Sequence, residues 1–184
     1  MPLRSRLQLF YLLHLCRPTT DRVLFRAIHR AKVQRILELG LTSTKRTLRM
    51  VAVSQLANPS KVPHYIGIDL FEDRPDPSRL VWPLRDAYRN LRAAGARVRL
   101  IPAEPLVGLM QVANELGKLD LLVISAAAAP GEHSRAWLFL PRLLHQDTQV
   151  FCENLDGRQP AGFQRLDMAT INRLATAVLK RRAA

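Results

Sequence analysis

Two apolar strands that close on acidic residues limit what this chain can fold into. Arg35-Ile36-Leu37-Glu38-Leu39 stops at Gly40, and His64-Tyr65-Ile66-Gly67-Ile68 ends at Asp69, with a helical segment between them. An apolar strand with an acid beside a glycine turn, then a helix, then a second strand closing on an acid, describes the ligand edge of a doubly wound α/β sheet. Ligands bind at such an edge because the carboxyl ends of parallel strands leave a crevice where the strand order reverses. A carboxylate exposed at the tip of the second strand can accept hydrogen bonds from both hydroxyls of a ribose. The expected partner is therefore a nucleoside-type small molecule.

The rest of the chain repeats the alternation. Pro18-Thr19-Thr20-Asp21 supplies a break and capping groups for a helix over 21–32. There Leu24, Ala27, Ile28 and Ala31 share the sheet-facing side, while Arg22, Arg26 and Arg30 form a basic ridge at i, i+4 and i+8. A helix over 44–57 ends before Asn58-Pro59, and a Pro-rich turn covers 73–77. The next helix starts near Pro83 and stops at Gly95. Strand 97–101 alternates polar and apolar residues, as an edge strand does. Then come a helix over 105–116, a doubly buried strand over 119–124, a helix near 133–144, a strand over 148–152 and a basic helix over 167–182. The predicted fold class is α/β: a doubly wound, mostly parallel sheet of five core strands with helices on both faces. Phe163–Leu166 is the one candidate for a further strand, so the C-terminal strands are expected to be short or missing. Residues 1–32 read as N-terminal helices packed on a single compact unit of 33–184.

Composition narrows the class of partner. Of 28 basic side chains 23 are arginine, giving a formal net charge of +13 over 184 residues. The arginines are spread along the chain without the interleaved aromatics of a single-strand groove, so nucleic acid is not the favoured partner. The densest basic stretches are Arg22/Arg26/Arg30 and Lys180-Arg181-Arg182, which would form one phosphate-binding surface if both helices packed on the same side of the sheet. Cys16 and Cys152 lie in apolar runs with no metal-type spacing and read as buried free thiols of a reducing, cytoplasmic compartment. Arg4 and Arg6 precede an apolar run that Gln8 and His14 interrupt, which favours a packed N-terminal helix over a secretory leader. No apolar run is long enough to cross a membrane.

Taken in order, residues 33–154 resemble the class I S-adenosylmethionine-dependent methyltransferases. Ile36-Leu37-Glu38-Leu39-Gly40-Leu41-Thr42-Ser43-Thr44 is similar to their strand-and-turn motif, and Tyr65-Ile66-Gly67-Ile68-Asp69 to the strand whose acid holds the ribose. Val98-Arg99-Leu100-Ile101-Pro102-Ala103-Glu104 resembles the segment that contacts the adenine amino group, and Leu119–Ser125 the strand beside which the methyl group is transferred. The resemblance implies a cofactor site of Glu38, Gly40, Thr42, Asp69, Ala103, Glu104 and Ser125, holding S-adenosylmethionine. Thr42 and Thr44 depart from the motif, standing where the family has glycines that let backbone approach the ligand.

A more distant resemblance is to the small catechol-type O-methyltransferases. It makes Glu153 and Asn154 candidate metal ligands, but Ser125 and Ala126–Ala129 offer no acid at the other ligand position, so no metal is expected. His133, in the loop after the fourth strand, is the candidate catalytic base. The expected function is a methyltransferase-like protein that binds S-adenosylmethionine, its acceptor unknown and its acceptor side completed by a second subunit in a homo-oligomer. The alternatives are a degenerate, non-catalytic module of the same fold that binds a partner, and a basic nucleic-acid-associated protein.

Overall fold

The computed structural model describes residues 3–74, 76, 82–131, 134–154 and 162–183. Among them the strand–helix alternation folds into one six-stranded sheet of order β3-β2-β1-β4-β5-β6. The strands are β1 (Arg35–Leu39), β2 (His64–Asp69), β3 (Arg97–Pro102), β4 (Leu121–Ile124), β5 (Gln149–Asn154) and β6 (Gly162–Leu166). The first five are parallel and β6 runs antiparallel to β5. The strand order reverses between β1 and β4, which puts the crevice of a doubly wound sheet at their carboxyl ends. The five expected parallel strands are present, β3 is an edge, and Phe163–Leu166 lies within the single C-terminal strand among the described residues.

The two faces of the sheet carry separate cores. Ile36, Tyr65, Leu121, Val123 and Phe151 point to α2 (Arg22–Ala31), α3 (Thr44–Ala57) and α4 (Leu84–Ala93). Leu37, Leu39, Ile66, Ile68, Leu122, Ile124 and Val150 point to α5 (Pro105–Val112), α6 (Leu140–Leu143) and α7 (Met168–Ala183). Period-two alternation in the strands sends successive side chains to opposite layers. The most N-terminal helix, α1 (Leu3–Phe10), buries none of its residues; Leu3, Leu7 and Phe10 on it are exposed, as are Tyr11 and Leu15 just beyond.

Several expectations change. The helix expected over 105–116 stops at Val112 and continues as turns. The one expected near 133–144 is a 3₁₀ turn, Arg135–Leu138, followed by the single turn of α6. Pro141 accounts for this, since it has no N–H to donate and its ring crowds the preceding turn. Asp21 does not cap α2 with its side chain. Cys16 is buried as expected, but Cys152, near the end of β5, is only half-buried; both thiols are free. The two basic helices pack on opposite faces, so the same-side packing that a shared surface requires is not met. Arg22 and Arg26 have local work instead: their Nε atoms donate to the carbonyls of Cys16 and Leu13 at 2.8 and 3.1 Å.

Gly108 decides how closely α5 lies on the sheet, because a Cβ there would collide with the Cγ2 of Ile68 on β2. Overpacking a fitted contact typically costs about 1–3 kcal/mol. Gly108→Ala is therefore expected to lower stability by about 1–3 kcal/mol, read as a fall in the urea midpoint with an unchanged slope.

Candidate functional site

Glu38 is fully buried on β1, on the face covered by α3. A buried carboxylate is costly unless its lone pairs are met by donors. Here they are: Oε2 accepts from the Tyr65 hydroxyl at 2.7 Å and the Thr47 hydroxyl at 2.8 Å, and Oε1 from Arg46 Nη2 at 3.3 Å. Arg46 is itself 3% exposed. Its Nη2 also donates to Thr42 Oγ1 at 2.7 Å, its Nη1 reaches Glu153 Oε1 at 3.1 Å, and its guanidinium lies 5.0 Å from the centre of the Phe163 ring. Burial raises the pKa of Glu38, with Arg46 pulling it back only in part. Burial also works against the charge of Arg46, but Glu38, Glu153 and Asp21 outweigh it and hold its pKa above the ordinary value.

The glycine turn follows directly on this pair. Gly40 has φ +77°, and a Cβ there would collide with Ser125 Oγ and come within 2.7 Å of the Ala128 Cβ. The β1 turn and the Ser125–Ala128 turn after β4 are thus in close contact. Ser125 is fully buried and its Oγ has no hydrogen-bond partner among the described residues. Among the described residues Lys32 and Phe71 are the non-glycine residues with positive φ, so Thr42 and Thr44 keep ordinary backbone. Thr42 receives Arg46, Ser43 caps α3 by accepting from the Arg46 N–H, and Thr44 opens the helix. With threonines at 42 and 44, the segment after Gly40 is a helix start.

Asp69 is not the exposed rim residue expected of a carboxylate at a strand tip. It is 8% exposed, and both its oxygens accept from Arg74 Nη2 at 2.8 Å. The intervening turn is held by Phe71, fully buried at φ +49°, a conformation that a bulky residue adopts only when its surroundings enforce it. Ala103 extends the β2–β3 pairing by donating to the Asp69 carbonyl at 2.9 Å. Glu104 caps α5, accepting from the N–H groups of Leu106 and Val107. His133 lies outside the described residues, as does part of the Pro-rich turn over 73–77.

Two hollows open at this edge, one on either side of Ala127. One, of about 300 Å³, lies beside Leu70, Glu104, Leu106 and Ala128. The other, of about 410 Å³, is walled by Asp21, Thr42, Ser43, Arg46, Ala126 and Glu153. Glu153 is engaged on both oxygens, by Arg46 and by the Ala126 N–H at 3.2 Å, so it ties β5 to β4 and α3 rather than standing free for a metal. Among the described residues no three His, Cys, Asp or Glu side chains come together as metal ligands. Asn154, beside it, is part-buried.

Asp21 is the unexpected member. Only 3% exposed, it accepts no side-chain hydrogen bond among the described residues, and burial raises its pKa against the pull of Arg46. Neither Asp21 nor Arg46 stands out in the sequence as a site residue. The one available signal for Arg46 is its place in the first turn of the helix after Glu38-Leu39-Gly40, where a ligand-approaching loop favours small residues.

No protein-family profile matches the chain, and no curated protein sequence matches it. Solved structures do. An O-methyltransferase from Bacillus cereus in complex with SAH aligns with a TM-score of 0.55 at 16% identity, over 95% of this chain and 76% of that one. The O-methyltransferase TomG from Streptomyces achromogenes, in complex with SAM, aligns at 0.54 and 14%, over 98% and 80%. The SAH-bound methyltransferase PaMTH1 from Podospora anserina aligns at 0.51 and 15%, over 100% and 78%. The chain shares its fold with these methyltransferase structures.

The buried pair can be tested by removing its cation. Arg46→Met leaves Glu38 and Glu153 without their shared partner and is expected to cost about 3–5 kcal/mol at neutral pH. The folded-state pKa of Glu38, already raised, rises further in the variant, so its ionisation opposes folding more strongly. The deficit relative to the parent is therefore present at neutral pH and shrinks as pH falls through the raised pKa, where Glu38 becomes neutral. Urea midpoints of both proteins across the acid range check the sign.

Proposed function

We propose that this chain is a methyltransferase-like protein that binds S-adenosylmethionine across the carboxyl edge of its sheet. The observation that carries the reading is the pair of hollows flanking Ala127 at the strand-order reversal, with Gly40 at the turn and an acid at the tip of β2. Solved structures of the same fold hold SAM or SAH, which supports it. In this reading Asp69 accepts the ribose hydroxyls, and the hollow beside Glu104 and Leu106, next to Ala103 in the chain, takes the adenine. Asp21 and Glu153 face the positively charged methionine end, and the short Ala126–Ala128 turn leaves room between the two. When bound, the sulfonium supplies an electrophilic methyl group. The acceptor is unknown, and a homo-oligomer would complete its side of the site; the exposed Leu3, Leu7, Phe10, Tyr11 and Leu15 support self-association. The free cysteines support a cytoplasmic setting. Among the described residues no helix is long and apolar enough to cross a membrane.

A second reading, a non-catalytic module of the same fold, is favoured by a different observation. Asp69 is already occupied by Arg74, and the Gly40 turn is already in contact with Ser125 and Ala128.

Calorimetric titration with S-adenosylmethionine separates the two. Saturable binding is expected, weakened roughly ten- to hundredfold by Asp69→Ala through loss of charge-assisted hydrogen bonds. Arg74→Ala is expected to strengthen binding, since it removes the group that competes for Asp69. A protein that takes up no S-adenosylmethionine at millimolar concentration, with or without Arg74, is the non-catalytic module.

A further inference from the structure

The opposite edge of the sheet carries a site of its own. Arg35, His64 and Arg97 are the first residues of β1, β2 and β3, and the register sets them side by side: Arg35 opposite His64, and His64 opposite Arg97. Adjacent strands are about 4.8 Å apart, so three basic groups occupy a span of about 10 Å. Arg99, two residues along β3, falls on the same face as Arg97. All four line one hollow of about 460 Å³. That face is the one α5 covers, and α5 stops at Val112, short of the strand starts. The turns that follow the helix bring Glu115 and Leu116 to one wall of the hollow.

The charges in the hollow do not balance. Glu115 is the one acid among the described lining residues, and it is taken by Arg99 at 2.6 Å. Arg35 and Arg97 make no side-chain hydrogen bond or ion pair among the described residues, and the Arg35 Nε is buried without an acceptor. Asp120, an acid just outside the hollow, accepts from the backbone N–H groups of Gln34 and Arg35 and not from a guanidinium among the described residues. Two unpaired guanidiniums next to an imidazole therefore match one doubly charged oxyanion. Arginine forks suit the paired oxygens of phosphate, and an imidazole N–H adds a donor. The local field is consistent with this: burial first, then Arg35, Arg97 and Arg99, lower the pKa of His64.

We infer that the hollow formed by Arg35, His64, Arg97 and Arg99 at the amino edge of the sheet binds a phosphate dianion, free or as a phosphomonoester. The site lies at the other end of the strands from the nucleoside crevice and stands independently of what binds there.

The test is titration of the full chain with inorganic phosphate and, separately, methyl phosphate, at constant ionic strength set with chloride. Thermal stability and the imidazole resonances of His64 are followed together. Phosphate is expected to raise the melting temperature and to raise the His64 pKa, because a bound dianion offsets the three arginines. Arg97→Gln, at an exposed position without partners among the described residues, is expected to fold normally and to weaken binding about tenfold or more. Arg35→Gln is expected to do the same and to need a check of its fold. Tighter binding of methyl phosphate assigns the site to a monoester, and equal or weaker binding to the free ion. Either assignment supports the site. An equal response to chloride, unchanged affinity in Arg97→Gln, or a His64 pKa indifferent to phosphate overturns it. A short RNA that binds through Arg97 while inorganic phosphate does nothing also overturns it, in favour of a nucleic-acid surface.

Discussion

The ion pair between Glu38 and Arg46 is the constraint around which the carboxyl edge is arranged. It joins β1 to α3 directly, β2 through the Tyr65 hydroxyl, β5 through Glu153 and β6 through the Phe163 ring. A charge taken out of water needs partners in fixed places, and the pair draws several of them from elements far apart in the chain. Among the described residues the Arg46 Nε is buried without an acceptor. Apolar packing alone would tolerate small slips of α3 along the sheet. The guanidinium does not, because its donors must meet three side-chain acceptors at once. The turn after Gly40 takes part in this, since Thr42 is one of those acceptors and Ser43 starts the helix that carries the arginine.

Much of the architecture could be read from the sequence because it rests on local pattern. β1, α3 and β2 fall where periodicity, capping and the Asn58-Pro59 stop put them, and the parallel topology follows from alternation. The misplaced ends have local causes too, such as Pro141 inside an apolar run. The site was less legible. Asp69 and Gly40 announce themselves by position, but Arg74 and Arg46 are two arginines among 23, and nothing in the linear order says that one will lie on Asp69 and the other under the turn. The partners of Arg46 include Glu153, 107 residues away. Pairings of that reach are products of the fold, and so is the burial that raises the pKa of Asp21.

A parallel sheet gives its two ends different characters, and in this chain charges of both signs stand at each end but are matched differently. At the carboxyl edge Glu38, Glu153 and Asp69 meet Arg46 and Arg74, while at the amino edge Arg99 meets Glu115 and Arg35 and Arg97 have no ion-pair partner among the described residues. A formal net charge of +13 is therefore a poor guide to either end. What a solute meets depends on which edge it approaches, and the arginines of α2 are partly withdrawn from the count because they close off carbonyls of the chain's own N-terminal segment.

Phe71 links the crevice to the interior in a way that bears on timing. The turn that delivers Arg74 to Asp69 begins at a residue whose backbone is held in the left-handed region and whose ring is wholly inside the α2–α3–α4 core. That turn cannot swing as a loose flap. Freeing Asp69 by moving the backbone requires an aromatic ring to leave its packing, whereas freeing it by rotating the Arg74 side chain does not. The gate over the acid is thus a single side chain on a stiff mount. Exchange at this corner should keep the pace of a side-chain rotation rather than of a loop or domain motion, with the surrounding main chain standing still.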